Sequence, residues 1–209
     1  MLESKSIYIF GYSGHAYVVI ESILDLGYTI KGYFDIQKAN HNPYNLEYMG
    51  SEKSVDVKQI VGSDFVFPCV GDNHVRNEML QLFNKKGLNQ CRIIDPTAKV
   101  SPSAQIGFST YIGKGSIINA QTQIGDACIV NSGAIIEHDC QVSNASHVAP
   151  GAVLCGHVQV GNKTLIGAKS VVRPNLFVCG DVTLGLGSVL VKSIENAGTW
   201  VGNPAREIK

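Results

Sequence analysis

From Val100 onward every sixth residue is Val, Ile or Leu. The series runs Val100, Ile106, Ile112, Ile118, Ile124, Val130, Ile136, Val142, Val148, Leu154, Val160, Ile166, Val172, Val178, Leu184, Leu190, without a slip. No helical period survives this rhythm, so helices are excluded for 100–190. A six-residue repeat with one inward aliphatic predicts a parallel β-helix of hexapeptides, in which three hexads close one triangular coil. The interval from Val100 to Leu190 then holds five coils, a prism roughly 24 Å tall at a strand spacing of about 4.8 Å. Other β-solenoids have similar corners, but the strict hexad favours the triangular kind. Two further positions keep the rhythm. The residue after the aliphatic is often Gly (107, 113, 125, 161, 167, 185) or Asn (119, 131), expected to supply the unusual backbone angles of a tight corner. The residue four after it is small, with Leu176 the exception.

Ahead of the repeat the pattern changes to strand–helix alternation. Residues 6–10 read as a buried strand and Gly11-Tyr12-Ser13-Gly14-His15 as a tight turn. A helix over 14–26 follows, ended by Gly27, then a second strand Thr29–Phe34 closed by Asp35. A short helix near 54–61, a third strand over 64–70, a helix from Gly71-Asp72-Asn73 to Lys86 and a fourth strand over 91–94 complete a truncated, doubly wound α/β unit. Two domains are expected, 1–95 and 96–209. The 11–15 turn would aim N–H groups and a helix N-terminus at an anion, which suits a phosphate. It lacks the third glycine of the dinucleotide fingerprint, and His15 stands where a nucleophile elbow needs Gly. Asp35 occupies the place of a ribose or base contact in such folds.

Seventeen basic and seventeen acidic residues, with no net charge, argue against a nucleic-acid binder or a polybasic membrane surface. No apolar run approaches a membrane span, and no apolar stretch precedes the first strand, so a cytoplasmic chain without signal peptide is expected. Six cysteines, at 69, 91, 128, 140, 155 and 179, have neither CxxC nor metal-finger spacing and are read as free thiols, with no metal expected. Cys128 and Cys140 occupy the small inward position and read as packing thiols. A thiol nucleophile at Cys140 or Cys155 is the alternative reading.

His138, His147 and His157 fall inside the repeat. His138 is flanked by Glu137 and Asp139, and an imidazole oriented by a carboxylate is suited to take a proton from a reacting group. Gly156 lies three hexads, one full coil, after His138 and should stack directly beside it. Its backbone N–H there could meet an oxygen that develops negative charge. The alternative for Gly156 is a plain corner glycine.

The hexads and the ending Gly202-Asn203-Pro204-Ala205-Arg206 resemble the left-handed β-helix acyltransferases. Over essentially the whole chain the order of IYIFGYSGH, VGDNHVR, IIDPTAKVSPSAQIG, IIEHDCQVSNASHVAPGA and VGNPAR resembles the nucleotide-sugar acetyltransferases. That family is typified by the UDP-N-acetylbacillosamine and perosamine N-acetyltransferases and includes sialic acid O-acetyltransferase-like proteins. The resemblance implies the left-handed hand of the helix, acetyl-CoA as co-substrate along it, and a homotrimer. It further implies a sugar nucleotide held by Ser13, Gly14, His15, Asp35 and Gly71. His138 would be the base and Asp139 its partner, although bacillosamine-type enzymes carry His-Glu at this place. His147 and the backbone around Gly156, Ala168 and Leu186 would contact acetyl-CoA, and Asn131 would lie near the sugar. The expected activity is N-acetylation of a nucleotide-linked amino sugar, specifically a UDP-4-amino-4,6-dideoxyhexose. The alternatives are O-acetylation of a sialic acid and, outside enzymes, a non-catalytic β-helix scaffold.

Overall fold

A computed structural model describes residues 5–208; the first four residues, part of the segment on which the signal-peptide expectation rests, lie outside it. The chain opens with β1 (Ser6–Phe10), α1 (Gly14–Asp25), β2 (Thr29–Phe34), α2 (Val57–Val61), β3 (Phe65–Pro68), α3 (Asn73–Lys86) and β4 (Asn89–Gln90). These strands form one parallel sheet in the order β2-β1-β3-β4. The order reverses direction at β1, and loops diverge there to leave a crevice at the strands' carboxyl ends. The α3 helix starts where the Asp72 carboxylate accepts from the His74 and Val75 N–H groups, and it stops at Gly87 in a left-handed conformation.

The expected fourth strand over 91–94 divides in the structure. Asn89–Gln90 pairs with β3, whereas Ile93–Ile94 pairs with Tyr111–Ile112 and begins the solenoid. With this extra hexad, and Ile194 bridging to Val178 at the far end, the solenoid has six turns rather than five. Each turn lays one short strand on each of three sheets, in a register of three hexads: Ile129 faces His147, Ile135 faces Val153 and Gln141 faces Gln159. Counting from Ile93–Ile94, we call these the first, second and third faces. The hexad aliphatics from Ile106 to Leu190 point inward and form one buried column. Between them the small residues do more than fit. Thr110, Thr122, Ser146, Thr164 and Ser170 donate hydroxyls to the carbonyls 15 residues on, at 2.7–2.9 Å. Cys128 and Cys140 take the same place, their thiols donating to the carbonyls of Ser143 and Cys155 at 3.1 Å. All six cysteines are free.

The corner chemistry differs from expectation. The left-handed residue is the third after the aliphatic, with φ of 52–65° at every corner from Ser109 to Gly187. The glycine just after the aliphatic has no such φ. At Gly107, Gly161 and Gly167 a Cβ would collide with the backbone of the next turn; at Gly161 it would lie 2.6 Å from the Cys179 carbonyl carbon. At these glycines it is close stacking of turns, not backbone twist, that leaves no room for a side chain, whereas other turns carry Asn119, Asn131 or Glu137 at the same position.

The α/β unit sits on the first face. Ile93, Tyr111 and Ile129 share a buried cluster with Ala16, Val19, Ile20 and Ile23 of α1. At the third–first edge the fully buried Arg76 of α3 donates to the carbonyls of Ala127 and Ala145 at 2.6 and 2.8 Å. At the first–second edge Lys114 pairs with Glu21 at 2.6 Å. The outward columns of the other faces differ in character. The second face carries Ile117, Ile135, Val153, Val171 and Val189, and the third Gln105, Gln123, Gln141, Gln159 and Phe177. The last strand, Ala205–Ile208, turns back antiparallel on Gly198–Gly202 and closes the first face. No helix among the described residues is long and apolar enough to cross a membrane.

Candidate active site

At the carboxyl ends of β1, β2 and β3 lies a cavity of about 700 Å³. Its walls include Gly11, Tyr12, Ser13, Asp35, Val70 and Met79, with Glu52, Lys53 and Glu78 among the polar groups. The turn that opens it is held from within: Asp35 accepts from the backbone N–H of Tyr12 at 2.8 Å and of Ile36 at 2.7 Å. Gly11 has φ +92°, and a Cβ there would press on Val70, so glycine is required. Ser13 and Gly14 are exposed at the α1 N-terminus. The Ser13 side chain makes no capping bond, and a Cβ on Gly14 would meet open space. Here the first N–H groups of a 12-residue helix face solvent beside the cavity, the arrangement that attracts a phosphate.

Three of the expected substrate residues, His15, Gly71 and Asn131, lie away from this cavity. His15 turns under the domain, where its Nε2 is buried with no hydrogen-bond partner and burial, with the Arg76 charge second, pushes its pKa down to about 4. Gly71 lies at a smaller hollow with Asn73, His147 and Lys163. His147 projects from the first face toward the α/β unit, and burial, then Arg76 and His15, push its pKa down to about 3. Its Nε2 is 3.1 Å from Asn131 Nδ2, while the Asn131 Oδ1 accepts from the Ser132 N–H. The amide therefore donates and Nε2 accepts, which places the His147 proton on Nδ1. Asn131 and His147 thus meet each other, below the α/β unit.

The His138–Asp139 pair stands on the second–third edge, opposite the face that the α/β unit covers. His138 Nδ1 is 2.9 Å from Asp139 Oδ2, and both side chains are open to solvent. Gly156 is buried directly beneath the ring: a Cβ there would lie 2.7 Å from His138 Cε1 and Nε2. The stacking expected from the three-hexad spacing is present. Ala168 and Leu186 stack on each other at the first–second edge, the Gly187 N–H donating to the Ala168 carbonyl, with Leu186 82% exposed. One face therefore separates them from His138 and Gly156, on the order of 15–20 Å for six residues of strand and corner. This separation was legible in the sequence, since residues share an edge position only when whole turns of three hexads separate them. His157, which the sequence reading left without a role, obeys that rule with Asp139, and its Nε2 is 3.9 Å from the same Oδ2.

Cys140 is no ready nucleophile. Burial pushes its thiol up to about 11, and its S–H is committed to the Cys155 carbonyl.

Residues 6–83 match the family model described as the PglD N-terminal domain, and residues 88–196 match that of the GMPPB C-terminal domain. A variant of perosamine N-acetyltransferase from Caulobacter crescentus, solved with CoA and GDP-perosamine, superposes with a TM-score of 0.92 at 30% identity. That match covers 98% of this chain and 97% of the other. The chain belongs to the hexapeptide-repeat sugar acetyltransferases. The acetyltransferase is also similar to the acetyltransferase domain of PglB from Neisseria gonorrhoeae, with a TM-score of 0.88, 28% identity and coverage of 98% and 100%. A relative from Acanthamoeba polyphaga mimivirus, protein L142, is 35% identical over 119 residues, which are 57% of this acetyltransferase and only 23% of that longer protein.

Proposed function

We propose that the protein transfers an acetyl group from acetyl-CoA to the amino group of a nucleotide-linked 4-amino-4,6-dideoxyhexose. The observation that carries this reading is the His138 ring, tied to Asp139 through Nδ1 and laid on the Gly156 backbone, on a solenoid whose partner domain opens a cavity at a helix N-terminus. The Nδ1–H donates to Asp139, which leaves Nε2 free to accept a proton. As the sugar nitrogen bonds to the thioester carbonyl carbon, Nε2 takes the proton that the nitrogen loses. The carbonyl oxygen becomes an oxyanion, to which the Gly156 N–H donates. Collapse breaks the C–S bond, and the proton passes from His138 to the departing CoA thiolate. The products are the sugar acetamide and CoA–SH, with no acyl-enzyme in between.

Ser13, Gly14 and Asp35 hold the nucleotide sugar, its diphosphate on the α1 N-terminus. The perosamine enzyme of Caulobacter was solved with a GDP sugar, and perosamine is itself a 4-amino-4,6-dideoxyhexose. A GDP-linked substrate therefore takes precedence over the UDP-linked one expected from sequence. Both substrates are cytoplasmic metabolites, which supports a cytoplasmic enzyme. The hollow that His147 shares with Asn73 and Lys163 supports its assignment to acetyl-CoA.

The placement of the site residues supports a homotrimer. Within one copy the nucleotide cavity and the His138 edge lie on opposite sides of the prism, and the Ala168–Leu186 edge is a face away. A second copy brings one molecule's His138 edge to its neighbour's cavity and first–second edge. The apolar column on the second face is the surface such packing would bury. Thiol release measured with acetyl-CoA against GDP- and UDP-linked 4-amino sugars, their 4-hydroxy counterparts and free sialic acid tests the reaction. Turnover confined to a nucleotide amino sugar is the expected result, and turnover of sialic acid alone would refute it. Light scattering showing a fully active monomer would refute the assembly.

A further inference from the structure

Helix α3 turns one stripe toward the cavity at the end of the sheet: Val75, Glu78, Met79 and Leu82 recur at helical spacing, and all four line it. Three of them are apolar, and Val75 stays 40% exposed. Across the slot Ile36, directly after the Asp35 that holds the 11–15 turn, is 74% exposed. Apolar walls left open to water on both sides of a slot suit a flat ring. The polar groups along the slot differ in what they are free to do. Both Asp35 oxygens already accept backbone N–H groups. The side chains of Glu52, Lys53 and Glu78 make no hydrogen bond or ion pair among the described residues. Two unpaired carboxylates against one ammonium repel a diphosphate from this end of the cavity. The phosphates therefore lie toward Ser13 and Gly14 at the α1 N-terminus, and the base toward α3.

We propose that this slot takes a guanine base, with the Glu78 carboxylate accepting its N1–H and its 2-amino group. The proposal rests on the reading that the cavity holds a nucleotide, and it assigns the side chain that selects among nucleotides. A carboxylate presents acceptors only. Of the common bases, guanine alone sets two donors side by side on one edge, at the spacing of the two carboxylate oxygens. Uracil has a single N3–H flanked by two carbonyl oxygens, which face a carboxylate unfavourably. Adenine and cytosine each place a ring acceptor beside their amino donor, so one carboxylate oxygen would meet a lone pair. The match with guanine is bidentate and charge-assisted, and such pairs are the strong ones. Glu78 rather than Glu52 has the place for it. The helix fixes Glu78 within the apolar stripe, between Val75 and Leu82, so its carboxylate meets the edge of a ring lying against those side chains. Glu52 belongs to the turn over 51–54 on the opposite wall, next to Lys53, whose charge it offsets.

The test is calorimetric titration of the full-length protein with GDP, UDP and ADP, a readout that needs no turnover. GDP should bind about 10- to 100-fold tighter than UDP or ADP, the worth of one bidentate pair. Glu78→Gln keeps the size and the helix propensity but sets an amide N–H group against a guanine donor. It should weaken GDP by about that factor and leave UDP unchanged or tighter, since an amide matches the N3–H and carbonyl of uracil. Glu78→Ala, at an exposed helix position, should lose the GDP preference without gaining affinity for UDP. Glu52→Gln should move the ratio of GDP to UDP affinity by less than about threefold. In thiol-release assays the KM for a GDP-linked amino sugar should follow the same order of variants. Equal affinity of the parent for GDP and UDP would overturn the proposal. So would equal weakening of both nucleotides in a folded Glu78→Gln, or a selective loss of GDP in Glu52→Gln alone. Each of these results leaves the acetyl-transfer reading standing where a UDP-linked amino sugar turns over. Selectivity for GDP lost on Glu78→Gln, with no turnover of any amino sugar by the parent, would instead fell the transfer reading and leave the guanine site.

Discussion

Gly156→Ala asks whether the solenoid's floor sets the position of the base. A Cβ at this position would lie 2.7 Å from both Cε1 and Nε2 of His138, whereas ordinary carbon contacts begin near about 3.5 Å. The ring must therefore give way by about 0.8 Å. It cannot slide freely, because Nδ1 is held 2.9 Å from Asp139, so it tips about that bond and carries Nε2 away from the attacking nitrogen. A displacement approaching 1 Å in a reacting group costs about 10²-fold, or ~2.7 kcal/mol in the barrier. Gly156 is outside the left-handed region, so alanine adds no backbone strain, and the ring it displaces is exposed. Stability should accordingly change by less than ~1 kcal/mol. Steady-state thiol release should show kcat down about 10²-fold, the nucleotide-sugar KM unchanged, and the melting temperature within a few degrees of the parent. Cys155→Ala, its neighbour in sequence, should retain near-normal turnover. A Gly156→Ala enzyme within threefold of parental kcat would refute the reasoning, as would a loss confined to the acetyl-CoA KM.

His138→Ala should lower kcat by about 10²–10⁴-fold with acetyl-CoA binding retained by calorimetry, and Asp139→Asn, which keeps a partner for the ring, should lose less. Gly14→Val should raise the nucleotide-sugar KM without affecting the fold, since its side chain would enter open space at the α1 N-terminus; equal damage to both KM values would count against the phosphate assignment. At a nucleotide-sugar concentration far below the raised KM of Gly14→Val, mixing folded His138→Ala and Gly14→Val copies should give more turnover after subunit exchange than the sum of the two alone, because some mixed assemblies pair an intact base with an intact cavity; no gain with exchange demonstrated would argue for a site within one copy. His15 and His147, held neutral with pKa values near 4 and 3, take up protons on unfolding as pH falls below the ordinary imidazole value of about 6.5. The folded state should therefore lose about 2 kcal/mol per histidine between pH 7 and pH 5, read by denaturant titration, and His147→Gln should flatten that slope.

The solenoid was legible because its energetics are one-dimensional. Each short strand buries one aliphatic side chain against the turns above and below, so the hexad from Val100 to Leu190 dictates both the architecture and the three-hexad register. The same arithmetic placed Gly156 beside His138 before any coordinates, and it could have placed His157 beside Asp139 and set Ala168 and Leu186 on another edge. In the α/β unit, strand and helix signals were read from local capping and turn residues, and the sheet followed. Periodicity, however, contains no information about what lies outside the prism. The cover over the first face is decided by side chains far apart in sequence: Arg76 reaching Ala127 and Ala145, and α1 burying Tyr111 and Ile129. That packing drew His15 and His147 out of solvent and left His138 on the far edge. Even the corner glycines took their meaning from stacking, since the cost of a Cβ at Gly161 comes from a backbone one turn away. Sequence determines where a residue sits on its own turn, but which residues meet depends on surfaces formed only when the domains close on each other.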